Sequence, residues 1–175
     1  MRLFIAIDFD SLKNYFIELQ ELLPRNAKLS LTKSFHITLK FLGEVHPNDI
    51  ENIISELKKI KFRHFSVSLD SIGIFPTENY IRVIWIGIKP EDEILMLQRQ
   101  IDDLLGKMFK KEKDFQAHIT IARVKFPEDK KAFVGQIRKI NVENRKIEIR
   151  DFRLVQSTLT AKGPVYEDLA VFNFD

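Results

Sequence analysis

The sequence predicts an α+β fold in which a strand-helix-strand-strand unit is duplicated, giving two pseudo-twofold-related lobes whose antiparallel sheets face a central cleft. Three observations predict it. The stretch Phe35-His36-Ile37-Thr38-Leu39 has an echo in Ala117-His118-Ile119-Thr120-Ile121, with His118 standing 82 residues after His36. Behind each echo runs the same order of patterns, a helical stripe and then two strand-like runs parted by a Pro-containing turn. The offset barely drifts, since Arg150-Asp151 follows Asp70 by about the interval that separates the two histidines.

Taken in order, Met1 to Asp8 reads as a strand, being too short and too soon acidic for a signal peptide. Asp10 or Ser11 caps a helix through about Leu23, with Leu12, Phe16, Leu19 and Leu23 on one stripe and Pro24 ending it. The first histidine strand runs from about Ser34 to Leu42. His46-Pro47-Asn48-Asp49 opens a second helix with Ile50, Ile53, Ile54 and Leu57 on its apolar face. Val67 to Phe75 and Tyr80 to Ile88 form a hairpin around Pro76-Thr77-Glu78-Asn79. A helix from about Glu91 to Phe109, with Ile94, Leu97, Ile101, Leu104 and Leu105, joins the copies. After the second histidine strand come a helix from Asp129 to Ile140, a strand from Ile147 to about Leu159, a turn at Lys162-Gly163-Pro164 and a final strand through Phe172. The expected organisation is one domain over 1–175, its lobes being about 34–88 and 115–174.

At 175 residues, 45% hydrophobic and 30% charged, the chain can bury one sizeable core and is not of disordered composition. No apolar run approaches the roughly 20 residues of a membrane span. The absence of cysteine excludes disulfides, thiolate zinc sites and cysteine nucleophiles, and fits a reducing cytoplasm, the expected location. A net charge of +3 tolerates a phosphate-bearing partner without demanding one. Nothing demands more than a monomer.

In a strand, alternate side chains share a face, so His36 lies beside Thr38 and His118 beside Thr120. A pseudo-twofold packing would bring the two histidines together across the cleft. Paired imidazoles suit acid and base work near neutral pH, and the two hydroxyls can donate to an anionic oxygen between them. Arg123 offers a phosphate a planar fork, but it has the opposite strand parity to His118 and reaches the cleft only past a bulge or a strand end near Ala122. A single strand histidine is more often satisfied by a nearby carbonyl; duplication with a companion threonine reverses that. His46 and His64 have no such context. A metal site on His36 and His118 lacks paired carboxylates at ligand spacing. Phe41, which stands in the first copy where Arg123 stands in the second, reads as core. Phe9 and Tyr166 are candidates for the lining of a nucleotide pocket.

The segments His36-Ile37-Thr38-Leu39-Lys40-Phe41-Leu42-Gly43-Glu44 and His118-Ile119-Thr120-Ile121-Ala122-Arg123 resemble the paired His-x-Thr-x signatures of the 2H phosphoesterase superfamily, specifically the LigT-like RNA 2′,3′-cyclic phosphodiesterases. The resemblance extends over nearly the whole chain, from Arg2-Leu3-Phe4-Ile5-Ala6-Ile7 to Gly163 and Tyr166. It implies that His36 gives a proton to the departing ribose 3′ oxygen and that His118 activates water. Thr38, Thr120 and Arg123 would hold the phosphate, and the product would be an RNA 2′-phosphomonoester. It implies no cofactor and no metal, and as partners RNA ends or small nucleotides bearing a 2′,3′-cyclic phosphate. Only the resemblance separates acid from base, because the two strands are near-equivalent. Two other readings stand beside it: a non-catalytic RNA-end or nucleotide binding module, and a 2′-5′ RNA end-joining ligase running the chemistry backward.

Overall fold

In the computed structural model, which describes residues 1–175, nine strands and four helices alternate. They are β1 (Arg2–Asp8), α1 (Lys13–Glu21), β2 (Lys28–Leu31), β3 (His36–Glu44), α2 (Ile50–Leu57), β4 (Phe65–Thr77), β5 (Tyr80–Lys89), α3 (Asp92–Leu105), β6 (Ile119–Lys125), α4 (Lys130–Arg138), β7 (Lys146–Ile149), β8 (Asp151–Thr160) and β9 (Gly163–Asn173). The strands form two antiparallel sheets, one in the order β3-β1-β8-β9 and the other in the order β2-β6-β5-β4-β7. The α+β class and the two sheets match the expectation from sequence.

The helices form where the apolar stripes require, but α1 begins after Leu12 without the expected Asp10 or Ser11 side-chain cap. Asp129 accepts the Ala132 N–H at the start of α4. His46 caps the short turn ahead of α2 by accepting the Asn48 N–H at 3.3 Å, which gives that histidine a local structural task. In α3, Ile94, Leu97, Ile101 and Leu105 are fully buried. Each such side chain contributes about 1.5 to 3 kcal/mol of transfer free energy.

The duplicated unit differs from the expected one. The lobes are not the sequence segments 34–88 and 115–174, because each sheet takes strands from both halves. The β1–β3 ladder pairs Ala6 with Thr38, Ile5 with Lys40 and Phe4 with Phe41; the β5–β6 ladder pairs Trp85 with Thr120, Ile84 with Ala122 and Val83 with Arg123. These ladders match step for step, so β5 is the counterpart of β1 and opens the second copy. The unit is therefore strand-helix-strand-helix-strand, and its last strand crosses over: β8 pairs with β1, and β4 with β5. The expected single strand from Ile147 to Leu159 is broken at Arg150, β7 pairing with β4 in one sheet and β8 with β1 in the other. Thirty-seven buried hydrophobic residues from both halves form one continuous core.

Candidate active site

The two histidine strands carry the same irregularity. On β3, Leu39 is skipped between the pairs at Thr38 and Lys40; on β6, Ile121 is skipped between the pairs at Thr120 and Ala122. Each is a bulge, which inserts one residue and reverses the parity of everything after it. The burial pattern records the reversal: Leu39 and Lys40 are both buried, as are Ile121 and Ala122, and the next residues, Phe41 and Arg123, emerge on the face of the threonines. The bulge that Arg123 needs on sequence grounds is thus present, one residue before Ala122.

His118 lies near enough to His36 to disfavour its charged form. Arg123, on the His118 sheet, also acts on Tyr166, which belongs to the His36 sheet. The sites on the two sheets therefore face one another, with His36, Thr38 and Tyr166 on one side and His118, Thr120 and Arg123 on the other. Aromatic rings wall each imidazole. His36 lies 5.1 Å from the Phe4 ring and 5.4 Å, edge to face, from Tyr166. His118 lies 4.9 Å, edge to face, from Phe75, which packs at 4.9 Å on Trp85. The Trp85 indole lies against Gly73, where a Cβ would collide with it, so this wall requires glycine in β4.

Partial burial among these walls disfavours the charged imidazoles. Burial pushes His36 from its usual 6.5 to about 4, with Asp10 opposing the drop and His118 adding to it. Burial also lowers His118, the Gln116 carbonyl opposing and Arg123 assisting. Both shifts favour the neutral ring when no ligand is bound. The His118 Nδ1 lies 2.8 Å from the Gln116 carbonyl oxygen, which only accepts, so Nδ1 carries the proton and Nε2 keeps its lone pair. A negative phosphate between the rings supplies the charge that would recharge one of them, and low dielectric amplifies its effect.

Beside His36 opens a small cavity of about 40 Å³ bordered by Phe4, Asp8, Ser34, Arg153 and Tyr166 among others. Arg153 is held there by Asp168 at 2.9 Å, Asp151 at 3.1 Å and Asp8 at 3.3 Å. Burial raises the Asp8 carboxyl above its ordinary value, against the Asp10 N–H and Arg153. Asp10 accepts the Phe35 N–H at 2.6 Å, anchoring the strand just before His36.

Of the residues singled out from sequence, His36, Thr38, His118, Thr120, Arg123 and Tyr166 come together at this cleft. Phe9 does not. It is fully buried in the core, because the chain leaves β1 there and turns inward, its N–H bonding to the Phe35 carbonyl at 2.8 Å. Phe41 also departs from expectation, being 65% exposed on the cleft face, where the Leu39 bulge turns it 6.1 Å from Phe4. His64 sits on the surface against Glu148 and the Asp175 carbonyl. Sequence reasoning missed Phe4, Asp8, Phe75 and Trp85; the alternation of Phe4, Ala6 and Asp8 along β1 was the available signal for the first two. No group of three or more His, Cys, Asp or Glu side chains gathers where it could hold a metal ion. No helix is long and apolar enough to cross a membrane.

The model of the LigT like phosphoesterase family matches the chain twice, at residues 8–85 and 86–166, dividing it inside β5 where the second structural copy begins. An RNA 2′,3′-cyclic phosphodiesterase of Archaeoglobus fulgidus is 40% identical over 98% of this chain and 99% of its own. One of Methanocaldococcus jannaschii is 38% identical over 95% and 97%. Among solved structures, a Thermus thermophilus protein superposes with a TM-score of 0.81 at 26% identity, covering 99% of this chain and 97% of its own. Escherichia coli LigT complexed with 3′-AMP shares the fold, with a TM-score of 0.78 at 21% identity over 99% and 97% of the two chains. Matched in both halves by one family model and over nearly its whole length by these relatives, the chain belongs to the LigT-like phosphoesterases.

Proposed function

We propose that this protein hydrolyses 2′,3′-cyclic phosphodiester ends of RNA to 2′-phosphomonoesters, with His36 and His118 as the catalytic pair. The observation that carries this reading is the matched pair of bulged ladders, which sets a His-x-Thr on each side of one cleft. His118, with Nδ1 bonded to the Gln116 carbonyl, offers a free Nε2 and suits the base. It takes a proton from water as the water oxygen bonds to phosphorus. The phosphorus–O3′ bond breaks, and His36, recharged by the bound anion, delivers its proton to O3′. Exchange with solvent then returns each ring to its starting state. Thr38 and Thr120 donate to the non-bridging oxygens, and Arg123 adds a charge-assisted fork where negative charge accumulates.

O2′ and O3′ belong to the same ribose, so the nucleoside lies on the leaving-group side, that of His36. Phe4, Tyr166 and exposed Phe41 offer it aromatic faces there. The binding-module reading has less support, since holding an end requires no matched donor and acceptor. A monomer acting in the cytoplasm is the setting proposed with this reaction. The test is turnover of a ribonucleoside 2′,3′-cyclic phosphate in EDTA, with His36→Ala and His118→Ala each expected to lose about 10² to 10⁴-fold. Strict dependence on added divalent metal, or a folded variant with near-normal rate, would defeat it.

A further inference from the structure

The bulge at Ile121 decides which way Arg123 points, and a buried side chain from a distant helix grips that bulge. Gln20, on α1, is only 7% exposed and lies outside the cleft. Its Nε2 donates at 2.8 Å to the Ile121 carbonyl and at 2.8 Å to the Thr32 carbonyl, just beyond the end of β2. The Thr32 N–H meets the same Ile121 oxygen at 3.0 Å. Both amide protons are thus spent on tying the skipped residue of β6 to the chain beside it. Were the skip lost, every later side chain on β6 would change face, and Arg123 would turn from the cleft toward the core.

The first half has a counterpart. Phe16, Leu19 and Gln20 on α1, with Leu23 just past its end, recur in spacing as Ile94, Leu97, Gln98 and Ile101 on α3, all of them buried. Gln98 donates to Asp102 at 2.9 Å; Asp102 receives the buried ammonium of Lys40 at 2.5 Å, and Lys40 directly follows the bulge residue Leu39. Each bulge is therefore braced from behind by the helix of the opposite copy. A buried glutamine in the same place twice is costly unless its amide has work to do.

We propose that Gln20 is a positioning residue that holds the Ile121 bulge in register and so aims Arg123 at the phosphate. This rests on the phosphodiesterase reading for its substrate. The experiment is a double-mutant cycle on kcat/KM for a ribonucleoside 2′,3′-cyclic phosphate with Gln20→Met, Arg123→Ala and the pair. Gln20→Met is expected to lose about tenfold, and in the Arg123→Ala background no more than about twofold further. Equal loss in both backgrounds, or no loss in a folded Gln20→Met protein, overturns the proposal. If Gln20→Met does not fold, Gln20→Asn keeps the amide, shortens its reach by one methylene and is held to the same criterion. A second arm needs no turnover. NMR titration of the His118 ring should move upward in Gln20→Met, as it should in Arg123→Ala, because the guanidinium has left its neighbourhood. An unmoved His118 overturns the brace, whereas a wild-type protein without turnover overturns only the reaction.

Discussion

Acid should weaken this fold through His36, and by an amount that can be worked out. Burial among Phe4, Tyr166 and the cleft wall takes the ring from 6.5 to about 4. Below pH 6.5 the unfolded chain binds a proton at this histidine that the folded protein refuses, so stability falls as pH falls through the window from 6.5 to about 4. The difference integrates to about 2 kcal/mol at pH 5 and about 3 kcal/mol at pH 4. His118, also lowered, adds in the same direction. Asp8, raised by burial, works oppositely, since its contribution is lost as pH rises. Urea unfolding of the wild type and of His36→Gln at pH 7, 5 and 4 isolates the term. The wild type should lose about 2 kcal/mol more than the variant between pH 7 and 5. Parallel curves for the two proteins would mean that His36 is not desolvated, and the account of its electrostatics would fail. Inorganic phosphate should narrow the gap in the wild type, because the anion favours the charged ring.

Other perturbations reach the site through its supports. Gly73→Ala forces a Cβ into the Trp85 indole and should cost about 1 to 3 kcal/mol in thermal or urea unfolding, with loss of turnover as Phe75 and His118 shift; an unchanged melting temperature would refute the close-packed wall. Lys40→Met strands the Asp102 carboxylate, which burial works to raise and which Lys40, Glu112 N–H and Gln98 together hold low. It should cost about 3 to 5 kcal/mol, and most of the loss should return in Lys40→Met with Asp102→Leu, as unfolding measurements would show. Tyr166→Ala and Phe41→Ala should raise KM for a cyclic nucleotide more than they lower kcat; an effect on kcat alone would move the nucleoside away from these rings.

How far the site was legible from sequence follows from how local its signals are. His36, Thr38, His118 and Thr120 announce themselves because strand parity is a two-residue rule and the pattern occurs twice. Arg123 was legible as well, through the contradiction of its parity, and the Ile121 skip resolves it. Phe41 was misread as core although the same bulge stands before it; the equivalence with Arg123 already placed both on one face. Phe9 looked like a pocket residue through its nearness to β1, but where a chain turns on leaving a strand is a tertiary matter. The crossing of β4 and β8 between copies was hidden, because spacing shows repetition and does not show which sheet a strand joins. The break at Arg150 lies inside one strand-like stretch, Ile147 to Leu159, that serves two sheets. Gln20 and Gln98 read as polar interruptions of helical stripes, and only the carbonyl and carboxylate they meet reveal their use.

The central claim, that two facing histidines open a cyclic phosphate at its 3′ oxygen, is tested most directly by phosphorus NMR of the product. Adenosine 2′,3′-cyclic phosphate incubated with the protein in EDTA should give the 2′-phosphate alone, at a rate that collapses in both His36→Ala and His118→Ala. A mixture with the 3′-phosphate, or the same product from either variant at the wild-type rate, would contradict the assignment of His36 to O3′ and of the paired rings to the reaction.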